Sequence, residues 1–195
     1  MKDIEIRELF RNTEAYAGKE VMIYGWVRGN RSSNQFGFLS VNDGTFFTPV
    51  QVVYEADKLA NFSEVAKFRL SAGVKVTGTL VLTPEAKQPF EIKADEIALV
   101  ADSDSDYPLQ KKRHTLEYLR TIQHLRPRAN LFQCAFRVRS VAAQAIHRFF
   151  HDKGYLYVHT PLITGSDCEG AGEMFRVTTL DPDALPMTQD GKVDY

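Results

Sequence analysis

The chain has 195 residues, a formal net charge of −1 and two cysteines. That length can bury one large core or two small ones, and the balanced charge excludes a simple basic tail protein but not a local nucleic-acid site. Cys134 and Cys168 lack CxxC or His-x-x-His spacing, which argues against a structural zinc and for a cytosolic setting. No apolar run reaches the length of a membrane span, and the opening MKDIEIRELFRN is charged, not signal-like. The expectation is a soluble cytoplasmic protein with no metal site and no internal repeat.

The first half reads as β. VMIYGWVRG is a strand ending in glycine, FGFLSVNDG is a strand entering an Asn-Asp-Gly turn, and FFTPVQVVY is a third. DKLANFSEVAKF has helical spacing, and AGVKVTGTLVLT and FEIKADEIALV are two more strands separated by PEAKQP. Five short strands with a helix between the third and fourth is the order of an OB-fold, ahead of another small barrel.

Composition then shifts. ADSDSDYPLQKKRH, acidic and serine-rich before a basic cluster, reads as a linker, and TLEYLRTIQHLRPR is a short helix with Thr115 at its N-cap. From Asn130 to Lys153 runs a long amphipathic helix, with Leu131, Ala135, Val138, Ala142, Ala145 and Phe149 at three- and four-residue steps and Gly154 as its stop. The stripe fits core packing, but a helix of about 36 Å exceeds what an incomplete domain covers, and a homodimer partner would explain the excess. YLYVHTP reads as a buried strand closed by Pro161, and MFRVTTL as strand-like. One helix and two strands cannot close a sheet core, so the expectation is a piece of a longer protein.

The overall expectation is therefore α+β: an OB-fold barrel over 1–101, a linker or hinge over 102–129, and the start of an α/β domain over 130–195. Strand alternation sorts the barrel residues onto two faces. Leu39 and Val41 take the core side, which turns Phe36 and Phe38 outward. Val21, Ile23 and Val27 oppose Arg28, Val50 and Val52 oppose Gln51, and Ile92 opposes Glu91. One outer surface thus gathers Arg28, Phe36, Phe38, Gln51 and Glu91, with Arg31 in the first loop. An exposed aromatic can stack a base, worth roughly 1–3 kcal/mol. A glutamine can donate to a pyrimidine carbonyl and accept from its ring N–H, a carboxylate can accept from the edge of guanine, and arginines can contact phosphates. The competing reading is that the outward phenylalanines pack on the inter-strand helix or on a neighbouring domain. The linker cluster Lys111, Lys112 and Arg113 adds a little to the nucleic-acid reading, and fits plain solvated surface as well.

The segment GSDCEGAGEMFRV is the densest in chemistry. Cys168 between Asp167 and Glu169 would have a raised pKa, unsuited to a nucleophile. No cation lies between Gly165 and Met174, so phosphate would be repelled. A glycine-hinged lid whose carboxylates hold an ammonium fits the residues, and so does an acidic surface loop.

YGWVRGNR with FGFLSVNDG and VQVV, RVRSVAAQAIHRFFHDKGYLYVHTP, and GSDCEGAGEMFRV together resemble the class IIb aminoacyl-tRNA synthetases, most closely the N-terminal part of the bacterial asparaginyl members. The resemblance covers nearly the whole chain. It implies an anticodon-binding OB domain, followed by the opening of an antiparallel class II catalytic domain with its motif 1 helix, strand and Pro161 at a dimer interface. It implies that Phe38 stacks on the central anticodon uridine, Gln51 reads its edge, Glu91 lies near the first anticodon base, and Arg28 and Arg31, beside Phe36, contact this region. Glu169 then matches the glutamate that binds the substrate amino group, on a loop with Ser166 and Gly170. The partners implied are tRNA(Asn), asparagine and a second copy of the chain. ATP and Mg2+ are implied for the full-length ligase, with their main binding residues beyond Tyr195 and no cofactor in this chain. Motifs 2 and 3 do not appear by Tyr195, so the expectation is that this chain alone is inactive. An aspartyl or nondiscriminating synthetase and a non-catalytic tRNA-binding OB module are the alternative readings.

Overall fold

A computed structural model describes residues 2–165, 175 and 177–194. Two compact units divide the chain, Met1–Ala142 and Ala143–Tyr195.

The first unit is built on five strands: β1 Glu20–Ser32, β2 Phe36–Asn42, β3 Val50–Glu55, β4 Gly73–Leu82 and β5 Phe90–Ala101. They close into a barrel in the order β1-β2-β3-β5-β4. All pairings are antiparallel except β3 with β5, where Val52 pairs with Ile92. The β-branched alternation dictates this: Val21, Ile23 and Val27 of β1, Leu39 and Val41 of β2, Val50 and Val52 of β3, and Ile92 of β5 are all buried. Glycines sit where a side chain would collide. Gly37 pairs across the ladder with Tyr54, whose ring would lie 2.2 Å from an added Cβ. A Cβ on Gly78 would lie 2.1 Å from the Lys93 carbonyl.

Two short helices precede the barrel, α1 Ile6–Arg11 and α2 Thr13–Tyr16. Helical structure there has no counterpart in the sequence reading. Ile6 and Leu9 of α1 are wholly buried and cap the core.

The DKLANFSEVAKF segment departs from expectation. Only Phe62–Val65 is helical (α3). Asn61, at the cap, donates its side chain to the Ile97 carbonyl at 2.9 Å instead of capping the helix. The Val65 and Phe68 carbonyls accept from Asn30 Nδ2 at 2.8 and 3.3 Å. Long-range hydrogen bonds outcompete helix propagation here, and Leu59, Val65 and Phe68 are buried against the core. The third strand begins at Val50, so Phe46, Phe47 and Pro49 belong to the preceding loop.

The 102–129 segment is seated on the barrel. Arg69 donates to Asp102 at 3.1 Å and to the Ser103 carbonyl at 3.0 Å. Arg128 donates to Ser71 Oγ, and its guanidinium lies 5.4 Å from the Trp26 ring centre. Helix α4, Leu116–Thr121, starts at Thr115, whose Oγ accepts from the Tyr118 amide at 3.2 Å.

Helix α5, Asn130–Asp152, has the expected extent, but no residue of it is buried. The core-packing reading of its stripe therefore does not hold in this chain: Leu131, Val138 and Phe149 are all exposed. In the second unit the helix ends at Gly154, with φ +85° and the Tyr155 amide bonded to the Phe150 carbonyl at 3.1 Å. YLYVHTP is not a buried strand. Residues 155–161 are exposed and pair with nothing among the described residues, and a strand without a ladder partner leaves its amides and carbonyls to water. The described part of MFRVTTL is likewise not a strand, and Met187 makes a lone bridge with Val193.

Candidate nucleic-acid interface

Register brings the outward residues together. Arg31, expected in the first loop, lies instead within β1 and pairs directly with Phe38 of β2, because the β1–β2 ladder runs on to Ser32, and Ser40 pairs with Gln51 across β2 and β3. The Arg31 guanidinium consequently lies over the Phe38 ring, 4.8 Å from its centre. Phe36 stands beside Phe38, edge to face at 5.6 Å, and is exposed. Gln51 Nε2 donates to Glu91 Oε2 at 3.4 Å. That bond is long and weak, so it orients the carboxamide without consuming it.

Arg31, Phe38 and Gln51, with Arg28, line a groove of about 580 Å3. Arg28 Nη2 also reaches Asn130 Oδ1 at 3.4 Å. Desolvation, with the nearby Arg128 charge adding to it, lowers the pKa of Arg28; an arginine remains cationic at any physiological pH even so. A larger hollow of about 1340 Å3, lined by Trp26, Lys112 and Arg113 among others, shares Arg28 and Lys111 with the groove.

Chemically the groove offers an aromatic face, a bifunctional amide and several cations. No carboxylate lines it. Arg31, Lys87 and Lys111 make no ion pair among the described residues. That combination suits an unpaired base and its phosphates.

The sequence reading missed Phe10, Phe46 and Lys87 as groove residues, and named Lys111 only as part of the basic linker cluster. The three missed residues lie in a helix end or in loops, where no periodicity reports direction. Of the other barrel candidates, Phe36 and Glu91 do not line the groove but adjoin it through Phe38 and Gln51. Pro161 lies in the second unit, exposed and outside any helix or strand. Ser166, Glu169 and Gly170 lie outside the described residues. Among the described residues no group of three or more His, Cys, Asp or Glu is placed to hold a metal ion, and no helix is long and apolar enough to cross a membrane.

Comparison with known proteins agrees with this architecture. Residues 21–100 match the family described as OB-fold nucleic acid binding domain, and residues 115–188 match tRNA synthetases class II (D, K and N). An asparagine–tRNA ligase of Clostridium perfringens (strain SM101) is 60% identical over 196 residues, covering 100% of this chain and 42% of that protein. One from Clostridium botulinum (strain Alaska E43) is 62% identical over 190 residues, covering 97% and 41%. The chain therefore spans about two fifths of the length of the curated relatives it matches, 42% in the first case. Its fold is similar to that of the Pyrococcus horikoshii asparaginyl-tRNA synthetase complexed with asparaginyl-adenylate, with a TM-score of 0.79, 21% identity, and coverage of 91% of this chain and 41% of that one. An Entamoeba histolytica aspartyl tRNA synthetase is also similar, with a TM-score of 0.68, 19% identity, and coverage of 83% and 39%. By both matched regions and by its relatives, the chain belongs to the class II tRNA synthetases of the D, K and N group, in the part where an anticodon-type OB-fold leads into the synthetase domain.

Proposed function

We propose that this chain is the anticodon-binding and dimer-forming part of an asparagine–tRNA ligase, and that its barrel groove holds the central anticodon uridine of tRNA(Asn). The observation that carries the reading is the placement of Arg31 over Phe38, with Gln51 on the same groove. The uracil stacks on Phe38. Gln51 Oε1 accepts from the ring N–H, and the Nε2 proton not given to Glu91 is donated to a uracil carbonyl. Arg28 and Arg31 contact the adjoining phosphates, Phe36 borders the site, and Glu91 lies toward the first anticodon base. In this reading residues 1–101 bind the anticodon, 102–129 form the hinge and 130–195 open the catalytic domain. Pro161 belongs to the dimer segment, and Glu169, with Ser166 and Gly170 on its loop, binds the amino group of asparagine.

The ligase reaction would use ATP, whose adenylyl group would activate the carboxylate of asparagine with release of pyrophosphate, and Mg2+ would accompany it. The contribution assigned to this chain is recognition and positioning, in the cytoplasm.

The test is binding of an anticodon stem-loop with a central uridine. Phe38→Ala is expected to weaken it by about 1–3 kcal/mol, and Gln51→Ala to weaken it while reducing preference for uridine over cytidine. Unchanged affinity in both variants would sink the assignment of this face. On a longer protein carrying this chain, ATP–pyrophosphate exchange is expected with asparagine and not with aspartate; the reverse would favour the aspartyl reading.

A further inference from the structure

The groove has a second aromatic end. Phe10 and Phe46 stack with ring centroids 4.5 Å apart and planes 20° from parallel. Both line the groove and both are partly buried. Phe90, almost wholly buried, backs Phe10 at 4.9 Å.

Both rings are carried on fixed backbone. Phe10 lies near the end of α1, whose Ile6 amide donates to Asp43 Oδ2 at 2.7 Å and whose Arg7 amide donates to Thr45 Oγ1 at 3.0 Å. Asn42 Nδ2 donates to the Phe46 carbonyl at 3.0 Å, and Asn42 Oδ1 accepts from the Gly44 amide at 2.8 Å. The loop bearing Phe46 and the helix bearing Phe10 are thus tied to each other through Asp43 and Thr45. Two cations border the same groove, Lys87 from the β4–β5 loop and Lys111. Neither makes an ion pair among the described residues. A rigid aromatic surface that is only partly covered, beside unpaired cations, suits a stacked base between phosphates.

We propose that the Phe10–Phe46 pair is a second stacking subsite, which takes an anticodon base next to the central one, while Lys87 and Lys111 contact the flanking phosphates. The inference rests on the reading of the groove as an anticodon site, and adds a subsite contributed by the N-terminal helix and the β2–β3 loop.

The test uses anticodon stem-loops in which each anticodon base in turn is 2-aminopurine, titrated with the 195-residue chain. Emission from the probe at one position flanking the centre should fall on binding. Phe46→Leu should restore that emission and lower affinity about five- to hundredfold, whereas Phe38→Leu should restore only the emission of the central probe. Lys87→Gln and Lys111→Gln should each reduce the slope of log affinity against log salt by roughly one. If Phe38→Leu weakens binding while Phe46→Leu changes neither affinity nor flanking emission, the pair is core packing only, and this inference falls while the groove reading stands. If the unsubstituted chain binds none of the stem-loops, both fall. Should Phe46→Leu not fold, an abasic residue at the flanking position carries the test. It should lower affinity for the unsubstituted chain by a similar factor, and no loss would overturn the inference.

Discussion

At the scale of single residues, the groove owes its chemistry to which side chains share a cross-strand rung. Arg31 over Phe38 and Gln51 against Glu91 are both consequences of register. Glu91 accepts one amide proton of Gln51 through a long bond and, in the anticodon reading, biases which end of the carboxamide faces a base. Glu91→Ala removes that restraint. Its expected effect is a fall in uridine-over-cytidine preference larger than the fall in overall affinity, measured by competition between stem-loops differing at the central base. Tyr54 gives a different prediction. Its buried hydroxyl donates to Asn30 Oδ1 at 2.9 Å, and burial raises its pKa, opposed only in part by a hydrogen bond with Ser32. The unfolded chain ionises its tyrosines near pH 10. The contribution of Tyr54 is therefore fully present below about pH 10 and lost as pH rises through the folded value. Urea midpoints followed across alkaline pH should fall more steeply for the unsubstituted chain than for Tyr54→Phe. Phe38, Gln51 and Glu91 were legible because strand alternation has a period of two, so one buried neighbour fixes the direction of the next residue. Phe10 and Lys87 were not, since a helix end and a loop carry no such rule.

Among the elements, the barrel strands and α5 follow from local pattern, while the short helices do not. The β-branched alternation of β1 and β4 admits one inward face, and a one-residue slip would expose it entirely. The α3 segment shows the opposite case. Its spacing is helical, but Asn30 takes the Val65 and Phe68 carbonyls from afar, and the Asn61 side chain is given to the Ile97 carbonyl instead of to a cap, which no local pattern reports. Residues 155–161 have strand composition without a strand, because pairing is a property of two segments and only one is described here. Gly37 ties the two levels together. A methyl group there meets the Tyr54 ring, and Tyr54 is held on its other side by Asn30. Gly37→Ala is expected to destabilise the barrel by about 1–3 kcal/mol, read as a lowered urea midpoint, and Gly37→Ala combined with Tyr54→Leu to recover part of the loss. Equal midpoints for the glycine and alanine forms would show that the ring moves aside without strain.

For the whole molecule, exposed apolar surface is unevenly distributed. The barrel is closed and presents no sheet edge, whereas α5 and the residues after it expose Val138, Val141, Ile146, Phe149 and Phe150. In the dimer reading this surface meets its counterpart on a second copy. Sedimentation of a longer protein carrying this chain should show a dimer, and Val138→Glu with Val141→Glu should shift it toward monomer; a monomer at high concentration without those changes would count against the reading. The segment after α5 has its own consequence. Leu156, Val158, Leu162 and Ile163 are all strongly exposed, in a run rich in β-formers with little charge. Such a run is a template for cross-β stacking between molecules, and Pro161, which cannot donate to a ladder, interrupts it near its middle. A residue first notable as a mark of kinship would thus also serve as a gatekeeper, limiting fibril growth from newly made chains before their partners arrive.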